Sequence, residues 1–157
     1  MRGHVRRTDR EVTDRGEIID ILRRADTIRL GVNGDPFPYV VPLSFGFEDK
    51  GGEIRIYFHG AKEGFKHTLL DQNNHVCVEA GILHRYAETE TSLTCKYESV
   101  IGFGIAEVVE GDEAVRGMDL VCSHCGYDGF VYDTKALDHM KIYRITISSI
   151  TGKRNLP

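Results

Sequence analysis

The chain has 157 residues, of which 41% are hydrophobic and 28% are charged, and its formal net charge at pH 7 is −4. This length predicts one domain with a hydrophobic core, spanning residues 1–157. The pI near 6.0 argues against a nucleic-acid-binding protein that works through a broad basic surface.

The N-terminal segment MRGHVRRTDR is basic, but the apolar run of a signal peptide does not follow it. No stretch approaches the length of a membrane span. We therefore expect a soluble, cytoplasmic protein with no membrane or nucleic-acid partner, whose four cysteines are thiols rather than disulfides. In CSHC, Cys122 and Cys125 have the spacing of half a zinc site or of a redox pair. No second pair accompanies them, so no metal site is predicted.

The first predicted element is an amphipathic helix in TDRGEIIDILRRAD, with Thr13 as its N-cap. Three strands should follow, because the turn signals NGDP and EDKGG separate three apolar segments, namely 27–32, 39–47 and 53–59. The remaining predicted elements are a short helix at 65–71, a strand at 75–80, a long strand at 99–110, a helix at 112–123 and a strand at 142–150. Short connections between the strands favour an antiparallel barrel, so the predicted fold is mainly β, with six strands and peripheral helices.

Alternation along the second and third strands predicts which side chains face the core. In the second strand the odd-numbered residues from Tyr39 to Phe47 are apolar, whereas Pro42 indicates an edge strand or a bulge. In the third strand, Ile54, Ile56 and Phe58 should face the core, and the opposite face carries Arg55, Tyr57 and His59.

The long strand at 99–110 carries a run of small residues on one face: Val100, Gly102, Gly104 and Ala106. Such a run weakens a strand unless a flat group or another backbone lies close to it. We therefore expect this face to be covered by a planar ligand, a second subunit or both.

The segment IYFHGAKEGFKHTLL, residues 56–70, passes from a strand through two glycines into a helix. Backbone N–H groups, the ammonium groups of Lys62 and Lys66 and a helix N-terminus together favour a bound phosphate. The segment is not a Walker loop, since His67 rather than Ser or Thr follows Lys66. The alternative is a glycine-containing turn with solvated lysines.

Five segments in order resemble the pyridoxamine 5′-phosphate oxidase-like flavin split barrels, and within them the nitroimidazole-reductase branch. They are RRTDREVTDRGEIIDILRRAD, PYVVPLSFGF, IYFHGAKEGFKHTLL, KYESVIGFGIAEVVE and ITGK. The resemblance covers nearly the whole chain. It implies a six-stranded split β-barrel, a homodimer, and one FMN per subunit in a groove at the dimer interface, with FAD as the alternative flavin.

The resemblance also implies which residues contact the flavin. They are expected on two neighbouring strands, in the glycine–lysine loop and on the dimer-side strand: Val41, Pro42, Leu43, Ser44, Tyr57, Phe58, His59, Lys62, Gly64, Lys66, Ser99 and Val100. His59 is the candidate proton donor or substrate contact, and a histidine hydrogen-bonded to backbone at the strand end is the alternative. The oxidases that give the family its name carry arginines around phosphate and substrate. This chain has lysines there, so pyridoxamine phosphate oxidation is not expected.

The implied function is an FMN-dependent oxidoreductase that passes electrons from NAD(P)H to a small acceptor, such as a nitroaromatic (a nitroimidazole) or a quinone. The sequence displays no dedicated acid–base or nucleophile set. That absence is equally compatible with a flavin-binding or redox-sensing module that performs no catalysis. A haem-binding or deazaflavin-using relative on the same barrel is the third alternative.

Overall fold

The structure, a computed structural model, describes residues 4–157; the first three residues of the basic N-terminal segment lie outside this range. After a 3-10 turn at Thr8–Arg10, the elements in chain order are β1 Glu11–Val12, α1 Arg15–Arg24, β2 Ile28–Val32, β3 Tyr39–Leu43, β4 Gly46–Lys50, β5 Glu53–Ala61, α2 Phe65–Gln72, β6 His75–Glu88, β7 Leu93–Val109, α3 Gly111–His124, a second 3-10 turn at Thr134–His139, and β8 Met140–Asn155. None of the described helices is long and apolar enough to cross a membrane.

The strands form one antiparallel sheet in the order β3-β2-β6-β7-β8-β5-β4, with β1 paired to β8. The two edge strands, β3 and β4, are consecutive in the chain, and only Ser44 and Phe45 separate them. A connection this short requires the sheet to curl until its edges approach each other. The β3 and β4 edges are not hydrogen-bonded, so the barrel is split between them.

The predicted mainly β split barrel is confirmed, although the sheet formed by residues 4–157 has eight strands rather than six. One extra strand is β1, and the other arises because the predicted strand at 39–47 breaks where the chain crosses from one edge to the other. Pro42 lies in the edge strand β3, opposite Arg29, as its missing N–H group predicted. The N-cap of α1 is Asp14 rather than Thr13, since the Asp14 carboxylate accepts a hydrogen bond from the Glu17 backbone N–H at 2.9 Å.

The main core fills the barrel, and α1 closes one end of it with Ile18, Ile21 and Leu22. Ile54, Ile56 and Phe58 are buried in this core, which confirms the face assigned to them. A second, smaller core lies between the outside of the barrel and α3, and consists of Tyr57, Val109, Ala114, Val121 and Ile142.

The expectation for the small residues of β7 is wrong. Val100 and Ala106 belong to the main core, and a side chain at Gly102 would stand 3.3 Å from Ile147 Cδ1. This face therefore points into the barrel, where large side chains of β8 fill the available space. The outward face of β7 instead carries Ile101, 42% exposed.

Candidate functional site

The predicted phosphate segment forms the end of β5, a tight loop and the first turn of α2. Gly64 precedes α2 with a φ of 146°, a backbone conformation that favours glycine, and no side chain caps this helix end. The first N–H groups of an α-helix have no partner within the helix. The start of α2 therefore presents backbone donors and the positive end of the helix dipole.

Lys66 brings a cation to this helix end. Its Nζ lies 5.4 Å from the centroid of the Phe58 ring and 3.0 Å from the position that a Cβ on Gly60 would occupy. Burial lowers the pKa of Lys66. Among residues 4–157 no carboxylate forms an ion pair with it. A half-buried ammonium group without an anionic partner is suited to receive an anion from outside the chain.

Three stacked rings fix α2 against the sheet. The His67 ring is nearly parallel to the Tyr143 ring at 5.6 Å, and Tyr143 stacks on Phe58 at 4.9 Å. His67 Nδ1 and the Tyr143 hydroxyl are hydrogen-bonded at 2.9 Å. Burial raises the pKa of Tyr143 to about 12, while burial and the Lys66 charge lower the pKa of His67. The His67 and Tyr143 rings are thus neutral near pH 7, and their contact holds the first turn of α2, which carries Lys66, against the sheet.

The sequence offered no reason to assign a role to His67. In the structure its side chain is only 4% exposed and holds the loop in place. Its position in the first turn of α2 was visible in the sequence. The ring that it contacts was not, because Tyr143 is 76 residues further along the chain.

His59 and Ser44 lie beside this loop and line one pocket of about 280 Å³, together with Met118, Val121, Cys122, Cys125, Tyr127 and Phe130. Burial, and secondarily the charge of Lys66, lower the pKa of His59. The imidazole is therefore neutral at pH 7 and offers one donor and one acceptor. In the part of the chain that the structure describes, no side-chain hydrogen bond engages the His59 ring, so the alternative of a ring tied to backbone is not supported.

Three predicted contact residues have no surface to offer a ligand. Tyr57 and Phe58 are 0% exposed and Val100 is 2% exposed. Phe58 and Val100 point into the main core, and α3 covers Tyr57. The described conformation therefore offers no surface for the predicted cofactor contact of these three residues, and that contact stays a prediction. Alternation along a strand reveals which residues share a face, but it does not reveal that α3, which begins only at Gly111, covers that face.

The Tyr57 hydroxyl anchors α3 instead. It lies 3.1 Å from carboxylate oxygens of both Glu48 and Glu113 and 3.4 Å from Arg116 Nη2. Arg144 donates to Glu113 at 2.7 Å. These contacts join β4, β5, β8 and α3, so Tyr57 has a structural role in which a polar tip finds partners at the edge of a core.

The other predicted residues occupy several different environments. Pro42, Ser44 and Gly64 are exposed, Ser99 is half-buried, and Val41 and Leu43 pack partly against the main core. Lys62 is exposed and lines a separate cleft of about 650 Å³ with Gly111, Lys141 and neighbouring residues of α3 and β8. Lys62 is thus not brought to the Phe58 ring as Lys66 is.

The CSHC segment ends α3. His124 Nε2 lies 2.7 Å from the Ala25 carbonyl oxygen and its ring packs against Phe45 at 4.2 Å. The histidine is therefore engaged on the side of α1. Within residues 4–157, no group of three or more His, Cys, Asp or Glu side chains is arranged to hold a metal ion. That CSHC binds no structural zinc stays a prediction, which elemental analysis of protein purified without added metal would check.

The curled, unclosed antiparallel sheet with helices on its outside defines a split-barrel protein. The family model described as pyridoxamine 5′-phosphate oxidase matches residues 14–154, and the chain belongs to this family. The resemblance that the five sequence segments predicted is thereby confirmed. A comparison with curated protein sequences gave no match.

Several solved structures are similar to this chain. A protein designated a 5-nitroimidazole antibiotic resistance protein, from Bacteroides thetaiotaomicron, is 29% identical with a TM-score of 0.81, over 91% of this chain and 85% of that chain. A flavocytochrome from Azotobacter vinelandii has 23% identity and a TM-score of 0.77, over 98% and 73% of the two chains. An FAD-binding protein from Mesorhizobium loti has 18% identity and a TM-score of 0.69, over 94% and 98%. At such identities the last two likenesses concern the fold.

Proposed function

We propose that this chain is a flavoprotein that binds FMN, with one site in its single domain, and passes electrons from NAD(P)H to a small acceptor. The observation that carries the proposal is the uncapped start of α2 together with the Lys66 ammonium group, which lies over the Phe58 ring and forms no ion pair within residues 4–157. These groups suit a phosphate monoester, which FMN carries at the end of its ribityl chain. FAD, whose phosphates lie within a longer chain, is the alternative.

The donor set fits a doubly charged phosphate. Backbone N–H groups at a helix start and a lysine ammonium are the donors that phosphate sites commonly use. Lys66 is desolvated in the free chain, which lowers its pKa, and a bound anion would stabilise the charged form. Gly60 leaves room for this arrangement, because a Cβ there would stand only 3.0 Å from Lys66 Nζ and from the His67 ring, which would have to shift slightly.

The opposite end of the proposed site holds the flavin ring near Ser44 and His59. β3 is an edge strand, so those backbone groups of the Val41–Leu43 stretch that point away from β2 can hydrogen-bond to a heteroaromatic edge. Once bound, the flavin supplies the electron-transfer chemistry. The chain orients the substrate, and neutral His59 offers a hydrogen-bond donor and a hydrogen-bond acceptor to a substrate in the adjoining pocket.

We propose a nitroaromatic compound or a quinone as the acceptor. The support is the likeness to the Bacteroides protein designated for 5-nitroimidazole resistance and the apolar lining beside His59, which includes Met118, Tyr127 and Phe130. Such a lining suits a flat, weakly polar ring. The arginines that pyridoxamine phosphate oxidation would use are not part of this pocket.

A homodimer completes the proposal. Apolar side chains are exposed on the outer surface of the sheet and on the hairpin between β6 and β7: Val40, Leu83, Tyr86, Leu93 and Ile101. Four of these five residues lie on the neighbouring strands β6 and β7, and Val40 lies on β3; exposed apolar residues on neighbouring strands favour a subunit interface. The second subunit would also cover the open side of the flavin groove.

The absorption spectrum of the purified protein, followed by addition of NADH or NADPH under anaerobic conditions, tests the function. We expect oxidised-flavin bands, FMN as the mass released on denaturation, and bleaching that a nitroimidazole or a quinone reverses. Flavin bands without bleaching would leave a binding or sensing module. A haem spectrum, or retention of a deazaflavin and no flavin, would overturn the proposal.

A further inference from the structure

The last turn of α3 brings two thiols into one wall of the His59 pocket. Cys122 and Cys125 both line this pocket, as free cysteines that are half-buried and exposed, respectively. The flavin proposal assigns neither of them a role. The other two cysteines, Cys77 and Cys95, lie on β6 and β7 and do not line this pocket.

The backbone around the pair keeps a helical spacing. The Cys125 N–H donates to the Val121 carbonyl at 3.0 Å, and the Tyr127 N–H donates to the Cys122 carbonyl at 2.9 Å. An ideal α-helix, with a rise of about 1.5 Å per residue and a radius of about 2.3 Å, separates the Cα atoms of residues i and i+3 by about 5 Å. Disulfides join Cα atoms that are about 4.4–6.8 Å apart and Cβ atoms that are about 3.5–4.5 Å apart. Helical neighbours at this spacing have Cβ atoms about 5–6 Å apart, so closure requires a local shift of Cys125, which follows the last helical residue, His124.

We propose that Cys122 and Cys125 form a reversible thiol–disulfide pair that exchanges with small disulfides and thiols at the mouth of the His59 pocket. Such pairs occur in reducing compartments when they are catalytic or redox-sensing. His124 lies between the two cysteines in the sequence. It does not interact with the thiols, because its ring is hydrogen-bonded to the Ala25 carbonyl.

The exchange proceeds in two displacements. The exposed Cys125 thiolate attacks one sulfur of a small disulfide, the disulfide bond breaks, and one thiolate leaves. The Cys122 thiolate then attacks the Cys125 sulfur of the mixed disulfide and releases the second thiolate. The protein loses two electrons and two protons, and the small disulfide becomes two thiols. Cys122 acts second because it is less accessible, and because burial, Asp119 and Cys125 raise its pKa.

Closure of the bond would join the end of α3 to the start of the segment that carries Tyr127 and Phe130. These two exposed rings form part of the pocket lining and contact each other edge to face at 6.1 Å. The oxidation state of the pair would therefore affect the shape of the part of the pocket that Tyr127 and Phe130 line.

The test uses the full-length chain in glutathione buffers with different ratios of disulfide to thiol, followed by alkylation of the free thiols and peptide mass spectrometry. We expect two of the four thiols to disappear together and to be recovered as a Cys122–Cys125 disulfide peptide. Cys122→Ser should accumulate glutathione on Cys125, since the second displacement is missing. Cys125→Ser should accumulate no intramolecular disulfide, and the Cys77→Ser/Cys95→Ser double variant should behave as the wild type.

A disulfide that appears only after denaturation would overturn the proposal, as would equal glutathione adducts on Cys125 in the wild type and in Cys122→Ser. The measurement is made on protein with and without bound flavin. A failure of the thiol pair therefore leaves the flavin proposal untouched, and a chain that binds no flavin can still give a positive result.

Discussion

Replacement of Lys66 by Met is the sharpest test of the proposed phosphate site. Met keeps most of the apolar stem that lies over Phe58 and Gly60 but removes the charge. A charge-assisted hydrogen bond contributes about 1.5–3 kcal/mol, so FMN affinity should fall about 10- to 150-fold. Riboflavin has the same ring and no phosphate, and its affinity should change little.

The local environment favours the upper part of this range. Lys66 is half-buried and screened less than a surface lysine, whose ion pairs contribute about 0–1 kcal/mol. The expected pH dependence has a definite sign. Burial lowers the pKa of Lys66 in the free chain, and phosphate binding raises it again. FMN affinity should therefore decline as the pH rises through the pKa that Lys66 has in the free chain. The Lys66→Met variant should not show this decline.

Titration by the quenching of flavin fluorescence measures both affinities. Lys62→Met is the matched control, because Lys62 belongs to the same loop but is exposed and lines another cleft. It should reduce FMN affinity less than Lys66→Met does. Lys66→Arg should retain most of the FMN affinity. Unchanged FMN binding in Lys66→Met would refute the assignment. Parallel losses for FMN and riboflavin would show that the substitution had damaged the whole site, and thermal unfolding of the free chain would detect such damage.

Three further predictions concern stability and assembly. Glu98 is held by a bidentate hydrogen bond from Arg24, which lowers its pKa to about 2; Glu98→Gln should therefore lower the free energy of unfolding by about 1–3 kcal/mol at pH 7. In urea titrations this difference should persist above the ordinary glutamate pKa and disappear as the pH falls toward 2, and a difference independent of pH would contradict it. A Cβ at Gly46 would collide with the Leu120 carbonyl, so Gly46→Ala should destabilise the chain by about 1–3 kcal/mol, whereas Gly31→Ala, with its nearest contact at 3.5 Å, should be nearly neutral. Sedimentation of the flavin-bound protein should give about twice 17.7 kDa, and a monomer alone would exclude the proposed dimer.

The sequence predicted the type and order of nearly all elements because their signals are local. Turn residues separate β2 to β5, and helical spacing marks α1 and α3. The ends of the long strands were not predicted. β6, β7 and β8 have 14, 17 and 16 residues and continue through polar positions such as Arg85 and Lys96, which pair with each other in the ladder. Backbone pairing between distant segments stabilises these extensions, and a pattern of apolar side chains does not record it.

The candidate site likewise has features that the sequence predicted, because they are local, and features that it did not, because they depend on distant elements. The glycines and lysines of residues 60–66 are a local pattern, and the uncapped start of α2 is where that pattern predicted it. The placement of Tyr57 depended on a distant element, since α3 covers the face that alternation had assigned to polar surroundings. The separation of Lys62 from Lys66 could not be predicted either, because it depends on the exact path of the loop between β5 and α2.

The way in which α3 covers β5 also explains why the site lies at the end of that strand. The part of the outer face around Tyr57 is closed by α3, and the part around His59 and Gly60 remains accessible between the start of α2 and the end of α3. The two helix ends have opposite polarity, since a helix N-terminus favours an anion and a C-terminus disfavours one. Lys66 adds positive charge at the N-terminus of α2, whereas the pocket near the C-terminus of α3 is lined by apolar side chains and the thiols of Cys122 and Cys125. A ligand with a phosphate at one end and a flat ring at the other is therefore favoured in one orientation, with the phosphate at α2 and the ring toward His59.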